Sequence, residues 1–360
     1  MSNDQETSMS AILLEQTDRL LGEQVTKEII SAAEEGKWPE ALWKAVEESG
    51  LTLAMVPEAA GGVGIDAADA LRLVRRSAFH AVPLPMAETL LAQSLWVSAG
   101  GAAVEGAVTL APCNPVDRIG IAADGKGFRL SGTARRVPWG ARAGHVLVLA
   151  TDAKGASHLA LVPQGKAKSS ARRNLAFEAR DTLVFDGVSV PAEAVRAAPA
   201  AVAGEGLLIL GAQLRTQQMI GAMERCLDFA IAYANERVQF GRPIGKFQAV
   251  QHMLAVAAGH FAAATAAADA AIEAHGSPDV ELAVAVAKSR AGEAAGEVAA
   301  ISHQVFAAMG FTQEHPLHFS TRRLWSWRDE FGPEAFWQER IGRLVCGNGG
   351  DSLWPLLTGT

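Results

Sequence analysis

Arg237 and Gln248 stand eleven positions apart on either side of a turn that is rich in glycine. The apolar pattern predicts that a long helix ends near Arg237, that residues 241–245 turn the chain, and that Phe247 opens the next helix. A guanidinium placed at such a turn can bind two oxygens of one phosphate group. Taken singly, either residue could instead be a helix cap or an ordinary surface residue.

A second stretch, Gln304–Phe311, reads QVFAAMGF and combines small residues with a glycine at Gly310. Small residues allow a bound molecule to approach the main chain closely, because no large side chain stands in the way. An ordinary tight turn between two helices would produce the same pattern.

Residues 236–252 closely resemble the signature segment of the acyl-CoA dehydrogenase family, and residues 304–311, with Arg322 and Arg323 after them, resemble another segment of that family. Weaker agreement in the N-terminal half extends the resemblance over nearly the whole chain. It is found at Trp38–Pro39, Leu42–Trp43, Gly50–Leu51, Val56–Gly64 and Pro83–Glu88. The resemblance implies an FAD-binding protein that works on a CoA thioester.

The resemblance also implies which residues contact FAD. In the family, an arginine and a glutamine at this separation contact the pyrophosphate and adenosine side of FAD across a dimer interface, and the backbone of the second segment lies against the adenosine. Where this chain has Ala307 and Ala308, the family usually has two glycines. The FAD-binding residues carried over to this sequence are Arg237, Phe240, Gln248, Gln304, Val305, Ala307, Ala308 and Gly310.

The catalytic base of the family is missing from both of its usual positions. In the family reaction a glutamate removes the α-proton of the acyl-CoA, while the β-hydrogen leaves as a hydride to the flavin. Most members carry this glutamate before a glycine in a C-terminal loop, a position that Phe331 occupies here. Other members carry it some 26 residues before the signature arginine, which is Gly211 here. Neither residue can accept a proton.

Glu330 is the candidate for a displaced base, since it stands one residue from the usual loop position. The alternative is that Glu330, with its neighbours Asp329 and Glu334, forms ion pairs on a solvated surface. The arginines available for such pairs are Arg322, Arg328 and Arg340.

Residues 111–118 read APCNPVDR, where family members commonly show TEPxAGSD, a loop whose backbone and hydroxyls contact the isoalloxazine ring and the substrate. The glycine and the hydroxyls are absent. The resemblance places Trp139 near the flavin-stacking tryptophan of the family, although a tryptophan that closes a β domain is an equal alternative. Contacts that the family donates across an interface are therefore kept, while those within the subunit are lost. This asymmetry predicts the glutamate-less subunit of an α2β2 heteromer.

Three regions must position these residues. Helical periodicity in the first hundred residues gives way to short β-prone runs, and long alanine-rich helical segments follow from residue 206. The pattern predicts a mainly α fold with a central β domain. Its expected parts are an N-terminal helical domain (1–104), a middle β-barrel-like domain (105–200) and a C-terminal four-helix bundle (201–360).

Composition excludes several classes of function. A net charge of −7 offers no basic surface for nucleic acid. The polar N-terminus lacks a signal-peptide pattern, and no uninterrupted apolar stretch of about 18 residues is present, so we expect a cytoplasmic protein without membrane contact. The 3 cysteines and 9 histidines show no metal-ligand spacing, which predicts no metal site.

We therefore expect a subunit of an FAD-dependent acyl-CoA dehydrogenase that introduces an α,β double bond, is not catalytic itself, and completes the FAD site of a glutamate-bearing partner. One alternative is a self-sufficient homo-oligomer that uses Glu330 or another displaced base. Another is a non-redox structural partner with the same fold. The resemblance further implies an electron-transfer flavoprotein as electron acceptor and a place in lipid or steroid degradation.

Overall fold

The computed structural model describes residues 9–358, which run through helices, a sheet and helices again. The N-terminal helices bury amphipathic stripes; on the third of them Leu42, Trp43 and Val46 face the core. These helices are α1 (Met9–Gln24), α2 (Lys27–Glu34), α3 (Glu40–Glu48), α4 (Ala67–Phe79) and α5 (Met86–Ser98).

The central sheet has the strands β1 (Val108–Ala111), β2 (Ile119–Asp124), β3 (Gly127–Pro138), β4 (His145–Thr151), β5 (Ser157–Pro163), β6 (Lys168–Ser170), β7 (Arg180–Pro191) and β8 (Val195–Ala197). Hydrogen bonds connect them in the order β6-β7-β3-β2-β4-β5-β8, and β1 pairs in parallel with β4. β2 and β3 form a two-residue hairpin in which Asp124 pairs with Gly127 and Gly125 has a φ of 60°. Glycine adopts this left-handed conformation readily, which explains the turn.

The C-terminal region comprises α6 (Gly206–Glu236), α7 (Gln248–Glu273), α8 (Val280–Phe306), α9 (Leu317–Trp327), α10 (Glu334–Asn348) and α11 (Leu353–Thr358). A small hairpin of β9 (Val238–Gln239) and β10 (Arg242–Pro243) joins α6 to α7. Buried alanines such as Ala230, Ala264 and Ala295 allow α6, α7 and α8 to pack closely. The predicted mainly α class with a central sheet is confirmed.

The N-terminal half of α6 lies where the three regions meet. A single apolar core there contains Leu91 from α5, Leu147 from β4, and Leu210 and Leu214 from α6. Gly211 of α6 lies between Leu210 and Leu214 and is consequently held at the junction of all three regions.

Helix α7 is long and apolar enough, by length and composition alone, to cross a bilayer, and 28% of its apolar window is buried within the chain. Its outward side carries small apolar residues, including Ala255, Gly259 and Ala263, together with Val256, which is 51% exposed. A helix with this composition also suits burial against another protein chain.

Candidate functional site

The hairpin between α6 and α7 presents three of the predicted cofactor-binding side chains to the outside. Arg237 follows the last residue of α6, Phe240 is 93% exposed at the hairpin tip, and Gln248 is the first residue of α7. Within residues 9–358, neither the guanidinium of Arg237 nor the amide of Gln248 hydrogen-bonds to another residue, and both are exposed. These polar groups are therefore available to a molecule that lies outside the chain.

The second predicted segment lies at the same end of the helical bundle. The ring of Phe306, at the end of α8, stacks on Tyr233 of α6 with 4.3 Å between ring centroids, one turn before Arg237. Ala307 follows with a φ of 50°, a conformation that alanine rarely adopts and glycine adopts easily. The structure thus places the Gln304–Gly310 segment beside the last turns of α6, from which the hairpin continues.

Within that segment the side chains face different ways. Gln304, Ala307 and Ala308 are exposed, whereas the side chain of Val305 is buried in the core of the bundle. A Cβ atom at Gly310 would lie 2.9 Å from Cβ of Phe306, so the chain's own packing requires this glycine. An ordinary tight turn is therefore enough to explain the glycine at position 310. Because the side chain of Val305 is buried, only its backbone could contact a ligand.

A cluster of buried charges joins the three regions. Glu330, after α9, accepts hydrogen bonds from Nε of Arg180 on β7 and from Nε of Arg215 on α6, each at 2.6 Å. Arg215 Nη2 donates to Glu88 of α5 at 2.6 Å, and Arg180 Nη2 donates to Glu178 at 2.9 Å. None of the five is more than 7% exposed. We refer to these five residues as the junction cluster.

The charge state of Glu330 is set by the junction cluster. Burial raises the pKa of this carboxyl, but the charges and hydrogen bonds of Arg180 and Arg215 outweigh burial and lower the pKa to about 2. Such a carboxylate is a weak base, and both of its oxygens are already engaged. The predicted surface pairing of Glu330 is wrong, because the residue is buried and its partners come from distant elements.

The loop that contains Phe331 is held in one conformation. Lys288 of α8 donates through Nζ to the carbonyls of Arg328, at 2.6 Å, and Gly332, at 3.0 Å, while Trp337 Nε1 donates to the carbonyl of Phe331 at 3.1 Å. Burial lowers the pKa of Lys288 to about 8. These bonds hold Phe331 at a φ of 55°, an unusual value for an aromatic residue.

The ring of Phe331 lies directly against Gly211 of α6. A Cβ atom built on Gly211 would stand 2.1 Å from Cδ1 and Cε1 of Phe331, far inside van der Waals contact. The phenylalanine is 2% exposed and belongs to the junction core. Glycine at 211 and phenylalanine at 331 are therefore sterically matched, and their contact fills the space between loop and helix.

The loop of residues 111–118 is folded onto its own domain. Asp117, 3% exposed, accepts hydrogen bonds from the backbone N–H of Arg135, at 2.5 Å, and from its Nη1, at 2.6 Å. The Cys113 thiol donates to the carbonyl of Leu110 at 3.0 Å. Trp139 is 8% exposed and has the guanidinium of Arg180 5.0 Å from its ring centroid, so its contacts in this structure are those of a residue that closes the domain.

Two models of known protein domains match the chain. Residues 7–100 match the acyl-CoA dehydrogenase N-terminal domain, and residues 205–341 match the acyl-CoA dehydrogenase C-terminal domain. The chain belongs to the acyl-CoA dehydrogenase family. Members of this family are FAD-binding flavoproteins.

Relatives and solved structures agree with this membership. Acyl-CoA dehydrogenase IpdE2 of Mycobacterium tuberculosis is 28% identical over 290 residues, which cover 79% of this chain and 80% of that protein. The ChsE4-ChsE5 complex from Mycobacterium tuberculosis superposes with a TM-score of 0.84 at 24% identity, covering 94% of this chain and 97% of that one. The Tcur3481-Tcur3483 steroid ACAD superposes with a TM-score of 0.83 at 26% identity, covering 94% of this chain and 98% of that one.

The interior of the chain departs from the pattern that the family resemblance led us to expect. The two positions that the resemblance assigns to the base, Phe331 and Gly211, touch each other, and the adjacent carboxylate of Glu330 is tied to two arginines. The exposed hairpin, in contrast, offers an unpartnered guanidinium and amide that suit the phosphates and polar groups of FAD. The hairpin residues thus suit the phosphates and polar groups of FAD, whereas the two base positions carry no proton acceptor.

Sequence reasoning missed four of the five residues in the junction cluster. The sequence feature that could have identified them is a single charged residue within an apolar stretch. Arg215 stands in an otherwise uncharged part of α6, and Glu88 stands in the apolar helix α5. Charged residues are seldom fully buried unless they are paired, so such positions predict a buried ion pair although not its members.

We expect Gly211→Ala to destabilise the protein by about 1–3 kcal/mol despite the higher helix propensity of alanine, because the new methyl group would overlap the Phe331 ring. Urea unfolding measures the change. Gly342→Ala is the matched control, since a Cβ there meets no atom within 4 Å and should be neutral or slightly stabilising. The loss of unfolding free energy caused by Gly211→Ala should be smaller when Phe331 is replaced by leucine. An unchanged loss would show that the Phe331 ring does not cause it.

Proposed function

We propose that this chain is the glutamate-less subunit of a heteromeric acyl-CoA dehydrogenase and completes the FAD site of a glutamate-bearing partner. The main support is the contact between Phe331 and Gly211, which fills the space between the two base positions with packed apolar atoms. A base at either position would require a carboxylate where this chain has none. Proton removal from the substrate is then the task of the partner.

The self-sufficient alternative depends on Glu330, and the surroundings of this residue weigh against it. A general base works best with a pKa near the working pH, whereas the junction cluster lowers that of Glu330 to about 2. To reach a substrate the carboxylate would have to leave both Arg180 and Arg215 and leave two guanidinium groups buried without it. Glu330 is better explained as a structural residue.

In the proposed complex this chain contributes binding groups rather than a base. Arg237 would bind the pyrophosphate of FAD, Gln248 would hydrogen-bond to its adenosine side, and Phe240 would cover the cofactor from the hairpin tip. FAD supplies the hydride acceptor when it is bound. The exposed apolar side of α7 begins next to this hairpin and would be buried by a partner chain.

The remaining features of the proposal come from the resemblance and the relatives. A relative solved as a steroid ACAD supports a steroid-derived CoA thioester as substrate class. An electron-transfer flavoprotein would accept the electrons, and a cytoplasmic location fits the composition of the chain. The alternative of a non-redox structural partner with the same fold predicts that no assembly contains flavin.

The proposal is tested by the flavin content and native mass of the protein, purified alone and after co-expression with a glutamate-bearing homologue. We expect flavin absorbance near about 450 nm only in the mixed complex. A yellow and active homo-oligomer would contradict the heteromer and favour a displaced base. Absence of flavin from a stable mixed complex would favour the structural partner.

A further inference from the structure

The two most exposed phenylalanines among residues 9–358 belong to the two parts of the chain that the resemblance assigns to FAD. Phe240, at the hairpin tip, is 93% exposed, and Phe311, directly after the Gln304–Gly310 segment, is 75% exposed. An aromatic ring that stands open to water gains stability when a flat molecule covers it. Phe240 has a role in the proposed complex, whereas Phe311 has none so far.

The ring of Phe311 is supported on one face by two further aromatic rings. It stacks on the imidazole of His303, with 4.6 Å between the ring centroids and 24° between the ring planes. The same imidazole stacks on the indole of Trp325 at 5.6 Å and 13°. Nε2 of His303 lies 3.0 Å from Oγ1 of Thr321, and this hydrogen bond fixes the orientation of the imidazole. One face of the Phe311 ring is thus covered by a buried histidine, and the other face is open.

The backbone around Phe311 is fixed as well. Residues Ala307–Phe311 form a short 3₁₀ helix. The carbonyl of Met309 accepts a hydrogen bond from the backbone N–H of Thr312, at 3.2 Å, and another from the hydroxyl of Thr312, at 2.9 Å. Phe311 therefore presents a flat surface whose position is set by both its backbone and its ring contacts.

Phe311 and Arg237 lie at the same end of the helical bundle. His303, on which Phe311 stacks, stands one turn before Phe306 on α8. The ring of Phe306 stacks on Tyr233, which stands one turn before Arg237. In FAD a single ribose separates the pyrophosphate from the adenine, so a chain that holds the pyrophosphate has the adenine close to it. The arrangement suits one molecule that contacts both residues.

We propose that Phe311 stacks on the adenine ring of FAD in the mixed complex while Arg237 binds the pyrophosphate. This inference rests on the proposed function and adds a residue that the resemblance does not assign. Purine bases stack on aromatic side chains, and this contact needs a flat ring with one open face, which Phe311 provides. The mixed complex should consequently bind FAD more tightly than FMN, because FMN carries the same flavin but no adenine.

The first test uses the isolated full-length chain with ADP as the probe, since ADP carries the adenine and the pyrophosphate but no flavin. Saturation-transfer NMR should give its strongest signals at the adenine protons. Phe311→Leu removes the flat ring and should weaken ADP binding about tenfold, whereas Phe311→Trp should retain it. Trp354→Leu removes another exposed aromatic ring and is the control that should change nothing. Wild-type signals that survive Phe311→Leu, or that are absent at 10 mM ADP (roughly the weakest affinity of interest), would overturn the assignment.

Titration of the flavin-free mixed complex separates this inference from the proposed function. Phe311→Leu should weaken the binding of FAD about tenfold and leave the binding of FMN unchanged. Equal losses for FAD and FMN would show that Phe311 does not act through the adenine, and an unaltered affinity for FAD would remove Phe311 from the site. Both results would overturn the inference and leave the heteromer standing. A mixed complex that binds no flavin would contradict the proposed function, and ADP binding by the isolated chain would then decide the role of Phe311.

Discussion

Glu330→Gln should lower the free energy of unfolding by about 3–5 kcal/mol at pH 7, because it removes the carboxylate that two buried arginines share. Arg180 would keep Glu178 and Arg215 would keep Glu88, but both buried arginines would lose the charged acceptor that their Nε atoms share. Urea denaturation at 25 °C measures the change. Asp329→Asn is the matched control, since this neighbouring carboxylate is exposed and its loss should cost less than about 0.5 kcal/mol.

The pH dependence of the same variant provides an independent measurement. Glu330 has its pKa lowered to about 2 in the folded protein, against about 4.3 for an unperturbed glutamate. Its contribution to stability is therefore fully present above about pH 4.3 and is lost as the pH falls towards 2. The difference in unfolding free energy between wild type and Glu330→Gln should shrink over this range. A difference that stays constant would show that the ionised carboxylate is not what stabilises the junction.

The same substitution separates the structural role of Glu330 from a catalytic one. In the proposed heteromer, Glu330→Gln should leave turnover of an acyl-CoA nearly unchanged at a temperature at which the complex stays folded. If Glu330 were the base, turnover would fall by several orders of magnitude while the complex remained intact. A loss of that size without unfolding would identify Glu330 as the base and contradict its structural role.

The order of helical and β regions along the chain was predictable because each region has its own local sequence pattern. Alanine-rich segments with helical periodicity became α6, α7 and α8, and the glycine-rich turn at residues 241–245 lies between α6 and α7. Helix and turn signals depend on residues that are close in sequence, so one sequence is enough to show them.

The interior of the site was less predictable because its contacts join distant parts of the chain. Phe331 and Gly211 could be recognised as non-catalytic from their types alone, but their direct contact depends on the way α6 packs against the loop after α9. For Glu330 the sequence left two alternatives, a displaced base or a surface ion pair with nearby arginines such as Arg328, and neither involves its actual partners. Its partners Arg180 and Arg215 lie 150 and 115 positions away, and no local pattern connects them.

Arg237→Gln should weaken FAD binding by the mixed complex about 10–100-fold, because a guanidinium bound to a phosphate contributes roughly 1.5–3 kcal/mol. Arg237 is exposed and makes no side-chain hydrogen bond within residues 9–358, so the substitution should change the stability of the isolated chain by less than about 0.5 kcal/mol. The loss of affinity would thus come from the cofactor site and not from the fold. Equilibrium titration of the flavin-free complex with FAD, followed by flavin fluorescence, measures it.

The control lies on the same hairpin. Arg242 is also exposed and rests with its guanidinium 4.3 Å from the ring centroid of Phe247, so Arg242→Gln removes an equal charge a few residues away. If Arg237 binds a phosphate directly, Arg237→Gln should weaken FAD binding far more than Arg242→Gln, and the difference should persist in high salt, which screens long-range attraction. Equal and salt-sensitive losses would mean that the hairpin acts only through its overall charge. No effect of either variant would remove the hairpin from the FAD site and, with it, the main role that we propose for this subunit.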